Sequence, residues 1–238
     1  MTLSLLIAGI IFIASLQQSL SGFGFALISM PILVHVASIQ VAAPLVAILA
    51  LLLNIINGYR WRDAFDLSEL KRVGVWMLLG VPVGIWGILA LDSHVVNWGL
   101  GILLVAYALF ALLRPDVLPM VSSRWAYPAG FVAGVLGGAY NTAGPPLILY
   151  GSLRSWANQK FRAVLQSLFA VSASVVVLGH LLAGHYTRPE LTRITYATPA
   201  LLLGIFLGAR LERHLKPTWL KKWMTLITLF LGLSLLLR

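Results

Sequence analysis

The stretch GGAYNTAGPPLILYG, residues 137–151, gathers in one place the groups that could hold a ligand in an otherwise aliphatic chain. Gly137, Gly138 and Gly144 allow close backbone approach and dihedral angles closed to other residues. Pro145 and Pro146 lack an N–H, and so free carbonyls in any helical turn that precedes them. Asn141 and Thr142 add side-chain donors beside the glycines. A fainter counterpart, GFGFALISMPIL at residues 22–33, carries Gly22, Gly24, Ser29 and Pro31, and follows Gln17, Gln18, Ser19 and Ser21. Interrupted helices of this kind turn their N-terminal amides toward an anion, so the chemistry expected here is anion binding through neutral donors. Asn54 and Gln166 lie inside apolar segments elsewhere and are candidates to line a path, the alternative for Gln166 being an interhelical hydrogen bond. Isolated, glycines such as Gly22 and Gly24 would equally serve close helix packing; two prolines with Asn-Thr, echoed at a matching place, favour a site.

The elements that must position these groups follow from composition. The 238 residues are 60% hydrophobic and only 10% charged, against about 25% charged in an ordinary soluble domain. Apolar runs near the ~20 residues needed to cross a bilayer recur along the chain. The two-residue alternation of a transmembrane barrel is missing. The expected fold class is therefore an all-α polytopic membrane protein of about eight to ten segments, with the lipid bilayer as its surroundings. The net charge of +10 sits between apolar runs, as loop charges of membrane proteins do, and no nucleic acid partner is expected. With no cysteine in the sequence, disulfides and thiolate metal sites are excluded. The N-terminal run reads as a first membrane segment rather than a removed signal peptide.

Ten apolar segments can be marked, roughly 3–20, 23–36, 41–57, 73–91, 95–113, 126–138, 141–152, 160–183, 192–209 and 218–237. They divide into two halves, 1–113 and 125–238, joined by a cytoplasmic linker at 114–124. A shift of 115 positions carries Gly22 onto Gly137 and Pro31 onto Pro146, and SELKRV (68–73) resembles PELTRI (189–194). Five segments per half invert the second half relative to the first. That inversion places all but Arg188, Arg193 and Arg238 of the 17 Lys and Arg on one side. The positive-inside rule makes that side cytoplasmic and puts both termini outside. Segments 126–138 and 141–152 are each short for a ~30 Å core, so the Gly/Pro-rich helices opening each half are expected to be broken or re-entrant.

The motifs GFGFALISMP (22–31) and GVLGGAYNTAGPPLILY (134–150) resemble the signatures of the sulfite exporter TauE/SafE family of membrane transporters. Phe23 stands where that family commonly has a further glycine. The resemblance extends over nearly the whole chain in segment number and two-half layout. It implies export of sulfite or a small organosulfur (sulfonate-type) anion across the cytoplasmic membrane, by alternating access or gating at the repeat interface, with a small anionic substrate and no cofactor. A carboxylate or another small anion is the alternative substrate, and a homodimer is one option for assembly.

Other classes have weaker support. No H-E-x-x-H, G-x-S-x-G or paired carboxylates are present, and no His/Asp/Glu cluster has metal-ligand spacing, so neither catalysis nor a metal site is expected. A non-transporting assembly protein would leave the two matching motifs unexplained. Asn57, Ser167, His35 and His180 fall near segment ends or inside segment eight and read as interfacial or packing groups; Trp61, Trp125, Trp156, Trp219 and Trp223 read as an interfacial belt. All seven acidic residues lie in loops or at segment ends. The expectation is therefore electrogenic movement of an anion without a carboxylate proton relay.

Overall fold

The structure, a computed structural model, describes residues 2–113, 120–212 and 217–237. Of the linker expected at 114–124, residues 114–119 lie outside this range. So do Arg114, Arg213, Lys216 and Arg238 among the basic residues counted above.

Among the described residues every regular element is helical. The α-helices, in chain order, are α1 (Thr2–Ser21), α2 (Phe25–Val36), α3 (Ile39–Arg60), α4 (Leu67–Ala90), α5 (Ser93–Leu113), α6 (Ala126–Tyr140), α7 (Gly144–Leu153), α8 (Asn158–Leu182), α9 (Arg188–Leu211) and α10 (Pro217–Leu236), with short 3-10 turns at Arg62–Ala64 and Ser123–Trp125. Six of them, α1, α3, α4, α5, α8 and α9, are long and apolar enough to cross a membrane. Polarity is inside-out relative to a soluble protein. Leu5, Ile13, Trp86, Ile102, Phe206 and Phe230 point outward, whereas Gln18, Asn54, Asn57 and Gln166 are buried. Lipid tolerates the first set, and a packed interior that supplies hydrogen-bond partners tolerates the second.

Helix pairing follows from where small residues fall. The α4–α6 contact is the most extensive in the molecule. Gly80 and Gly84 on α4 face Gly130, Gly134 and Gly138 on α6, so closely that an added Cβ at any of the five would collide with a backbone carbonyl of the opposite helix. Residues four apart share a face, so each of these glycine rows forms one flat seam. The α1–α9 contact is built the same way. Gly204 meets Ser15 and Phe12, and a Cβ at Gly208 would stand 2.6 Å from Ser19 Cβ. Helix α5 pairs with α10, and α3 with α8 at the centre.

At the start of α4, Asp66 accepts from the Ser68 and Glu69 amides and pairs with Lys160 of α8 at 2.6 Å. The Lys160 ammonium, aided by the Ser68 and Glu69 donors, holds the Asp66 carboxyl well below the usual carboxylate range. Glu69, buried in the same turn, accepts from Tyr150 of α7 at 3.1 Å and from Arg72 at 3.1 Å. These contacts tie α4, α7 and α8 together at one end.

Each Gly/Pro stretch proves to be a three-residue break between two helices. Residues 22–24 separate α1 from α2, and 141–143 separate α6 from α7. Gly22 (φ 89°), Gly24 (φ 108°) and Asn141 (φ 55°) adopt the left-handed conformation there. After α6, the Asn141 amide donates to Gly137 O and the Thr142 amide to Leu136 O, a helix-ending pattern that tolerates Asn in place of Gly. Pro145 and Pro146 therefore do not break a helix by freeing carbonyls behind them. They sit in the first turn of α7, where a missing N–H costs nothing. The spacing between the two breaks is 119 residues, from Ser21 to Tyr140 and again from Phe25 to Gly144. The 115-residue register read from the sequence is thus four residues short. A slip of about one turn keeps the same face, so glycine and proline identities alone match nearly as well.

Candidate functional site

The two breaks meet. Between them, against α3 and α8, lies a small cavity of about 40 Å³, partly open to the surroundings. Gly24, Phe25, Ala26 and Leu27 line it from the α1–α2 break, and Asn141, Thr142, Ala143 and Gly144 from the α6–α7 break. Gln18 of α1, Ala50 and Asn54 of α3, and Phe169, Ser172 and Ala173 of α8 complete the wall.

Gln18 is the hub on one side. Its Oε1 accepts from the Phe25 amide at 3.0 Å, while its Nε2 donates to Asn54 Oδ1 at 2.6 Å and Gln166 Oε1 at 3.1 Å. Gln166 Nε2 in turn donates to the Gly22 carbonyl at 2.6 Å. One neutral network thus fixes the first break to α3 and α8. On the other side Asn141 Nδ2 donates to Ala43 O of α3 at 3.1 Å. Beyond it Tyr186 OH donates to Pro44 O at 3.3 Å, with burial pushing its phenol up to about 12.

Thr142 is the unusual member. It is 2% exposed, and its Oγ1 has no hydrogen-bond partner in the protein. A buried hydroxyl without a partner costs about 1–3 kcal/mol, and on a cavity wall it is a candidate to meet a ligand. Ser172 lines the same wall and is buried.

The sequence-derived candidates separate into two groups. Gly24, Asn141, Thr142, Gly144, Gln18 and Asn54 line the cavity. The others support it. Gly22 faces the Arg162 side chain, 3.1 Å from where its Cβ would be, and offers its carbonyl to Gln166. Gly137 packs against Ser172 and Ala143, and Gly138 against Val81 of α4. Ser29 returns its hydroxyl to Phe25 O, and Pro31 is buried inside α2. Pro145 and Pro146 open α7. Gln17 donates to Ser21 Oγ at 3.0 Å and so braces the first break. Gln166 acts through Gln18 and Gly22 rather than on the cavity. Asn57 joins Ser19 of α1 and Arg60. Sequence reasoning passed over Ser172 and Phe169. Their signal was spacing: Gln166, Phe169 and Ala173 follow at helical intervals along one face of α8.

Gln18→Leu is expected to lower stability, because it strands the Phe25 amide and unbalances Asn54 and Gln166 at ~1–3 kcal/mol for each group left unpaired. Thermal unfolding in detergent reads this, and an unchanged midpoint would show the network to be slack.

No solved structure matches this chain. Two curated relatives do. The probable inner membrane transporter protein TsaS of Comamonas testosteroni is 28% identical over 161 residues, 67% of each chain. The probable sulfite/organosulfonate exporter TauE of Cupriavidus necator is 23% identical over 226 residues, 92% of this chain and 88% of the relative. The family model described as sulfite exporter TauE/SafE matches residues 7–235, and with that span, the helical membrane architecture and the paired helix breaks, the chain belongs to the sulfite exporter TauE/SafE family of membrane transporters.

Proposed function

We propose that this protein exports sulfite or a small organosulfonate across the cytoplasmic membrane, and that the cavity between the two helix breaks is where the anion binds. The observation that carries the reading is the convergence of two helix N-termini, α2 and α7, on one cavity beside the unpartnered Thr142 hydroxyl. Helix N-termini supply free amides and a partial positive charge of about half a unit, the preferred setting for an oxyanion. Family membership and the TauE relative's name favour a sulfur oxyanion over a carboxylate.

Movement would follow from two inverted five-helix repeats, α1–α5 and α6–α10. Helix pairing supports the duplication. Exchanging the halves turns the α1–α9 contact into α6–α4, and leaves α3–α8 and α5–α10 unchanged. The site then sits on the pseudo-symmetry axis, where rocking of one repeat against the other exposes it to either side in turn. Charge favours both termini outside. In this cysteine-free chain the orientation is read by single-cysteine labelling. A cysteine at position 62 should react only from the cytoplasmic face and one at 188 only from outside; the reverse pattern contradicts the topology. The function itself is tested by flux of sulfite, methanesulfonate and acetate in proteoliposomes. Saturable flux of the sulfur oxyanions supports the reading, and flux of acetate alone contradicts it.

A further inference from the structure

Resting on that reading, we infer that the cavity selects by charge: it accepts oxyanions bearing one negative charge and excludes those bearing two. Every polar side chain on its wall is neutral. Gln18, Asn54, Asn141, Thr142 and Ser172 are the set, and no Lys, Arg or His among the described residues lines it. The buried cation of α8, Arg162, is committed elsewhere. Its guanidinium donates to Leu20 O at 2.8 Å and pairs at 2.9 Å with Glu212, a carboxylate outside the wall. Arg60 shares the same Glu212.

On the wall itself, positive potential comes from two helix ends. Each carries about half an elementary charge, so α2 and α7 together offer about one. Their donors are also few. The first four amides of a helix have no partner within it. At α2 these are Gly24, Phe25, Ala26 and Leu27; the Phe25 N–H is taken by Gln18 Oε1, leaving Gly24, Ala26 and Leu27 on the cavity wall. At α7 two of the four positions are Pro145 and Pro146, which have no N–H, leaving Ala143 and Gly144. The two breaks are thus pared down by different means, to three amides at α2 and two at α7.

Charge state then decides binding. The cost of taking an ion out of water rises with the square of its charge, whereas its attraction to fixed neutral dipoles rises only in proportion to the charge. A site balanced for one charge therefore underbinds two. The apolar part of the wall, Phe25, Leu27, Ala50 and Phe169, lowers the local dielectric and sharpens the difference. A sulfonate is singly charged at every physiological pH. Sulfite loses its second proton near neutrality, so its hydrogen sulfite form is the one this cavity takes.

The test compares sulfate, methanesulfonate and sulfite on the intact protein in proteoliposomes. Sulfate and methanesulfonate are close in size and shape and differ in charge. Methanesulfonate flux should be flat from mildly acidic to mildly alkaline pH, sulfate should neither move nor compete, and sulfite flux at fixed total concentration should fall about tenfold per pH unit above its second pKa. Sulfate competing as well as methanesulfonate, or sulfite flux unchanged across that range while methanesulfonate moves, overturns the charge selection alone. If methanesulfonate and sulfite both fail to move at any pH, the transport reading falls and this inference with it.

Discussion

Thr142→Val is expected to cut transport about 10- to 100-fold while leaving the protein as stable as before, or slightly more so. Most substitutions at a binding site lose both properties, which makes the opposite signs diagnostic. In the folded protein Thr142 is 2% exposed and its Oγ1 meets no protein partner. Valine has nearly the same shape, so no space is opened or overfilled. Removing an unpartnered buried hydroxyl relieves a desolvation cost. If that hydroxyl meets an anion, its loss removes a hydrogen bond to a charged group, about 1.5–3 kcal/mol, which sets the range for flux at low substrate. Unfolding midpoint and initial flux, measured on the same preparation, give both numbers. Unchanged flux with a raised midpoint would show the hydroxyl to be a structural flaw and not a ligand.

The second large effect concerns the frame. Gly134→Val should prevent accumulation of folded protein. A Cβ at Gly134 would strike Met77 O and stand 2.9 Å from Gly80 Cα, and both are backbone atoms that cannot rotate away. Overpacking of this kind costs about 1–3 kcal/mol when a neighbour can yield, and more when it cannot. Gly87→Ala on α4 is the control, because nothing lies within 4 Å of its Cβ. It should be neutral or stabilise by up to ~1 kcal/mol. Size-exclusion profiles in detergent before and after heating separate the two. A monodisperse Gly134→Val protein with the parental midpoint would mean that α4 and α6 do not pack this closely.

The contrast between these two predictions shows what could be read from the sequence. All ten helices were visible as apolar runs, because a membrane segment is marked by length and hydropathy, which are local properties. Asn141, Thr142, Gly144, Gly24, Gln18 and Asn54 were identifiable as cavity candidates because polar or helix-breaking residues are conspicuous in such runs. Less legible was what each glycine does. Gly138 seals α4 against α6 whereas Gly144 opens onto the cavity, and both have the same local signature. Only the partner helix distinguishes them. Ser172 and Phe169 are distinguished in the same way: on α8 they read as ordinary helical residues until α6 and α7 come beside them. The proline pair misled about mechanism rather than place. Proline both ends and begins helices, and the sequence around 141–146 admits either until Asn141 is seen in its left-handed turn.

The central claim is that the transported anion occupies the cavity between the two breaks, and substrate protection tests it most directly. Ala50 lines that cavity from α3, and the chain has no cysteine of its own. Ala50→Cys, purified and transport-competent, is treated with a small thiol reagent while methanesulfonate or sulfite is titrated in. The account predicts that the oxyanion slows modification saturably, at the concentrations that half-saturate transport, whereas a cysteine at Asp63, exposed between α3 and α4, is modified at a rate the anion does not change. Saturable transport with no protection at Ala50→Cys would place the anion elsewhere and contradict the account.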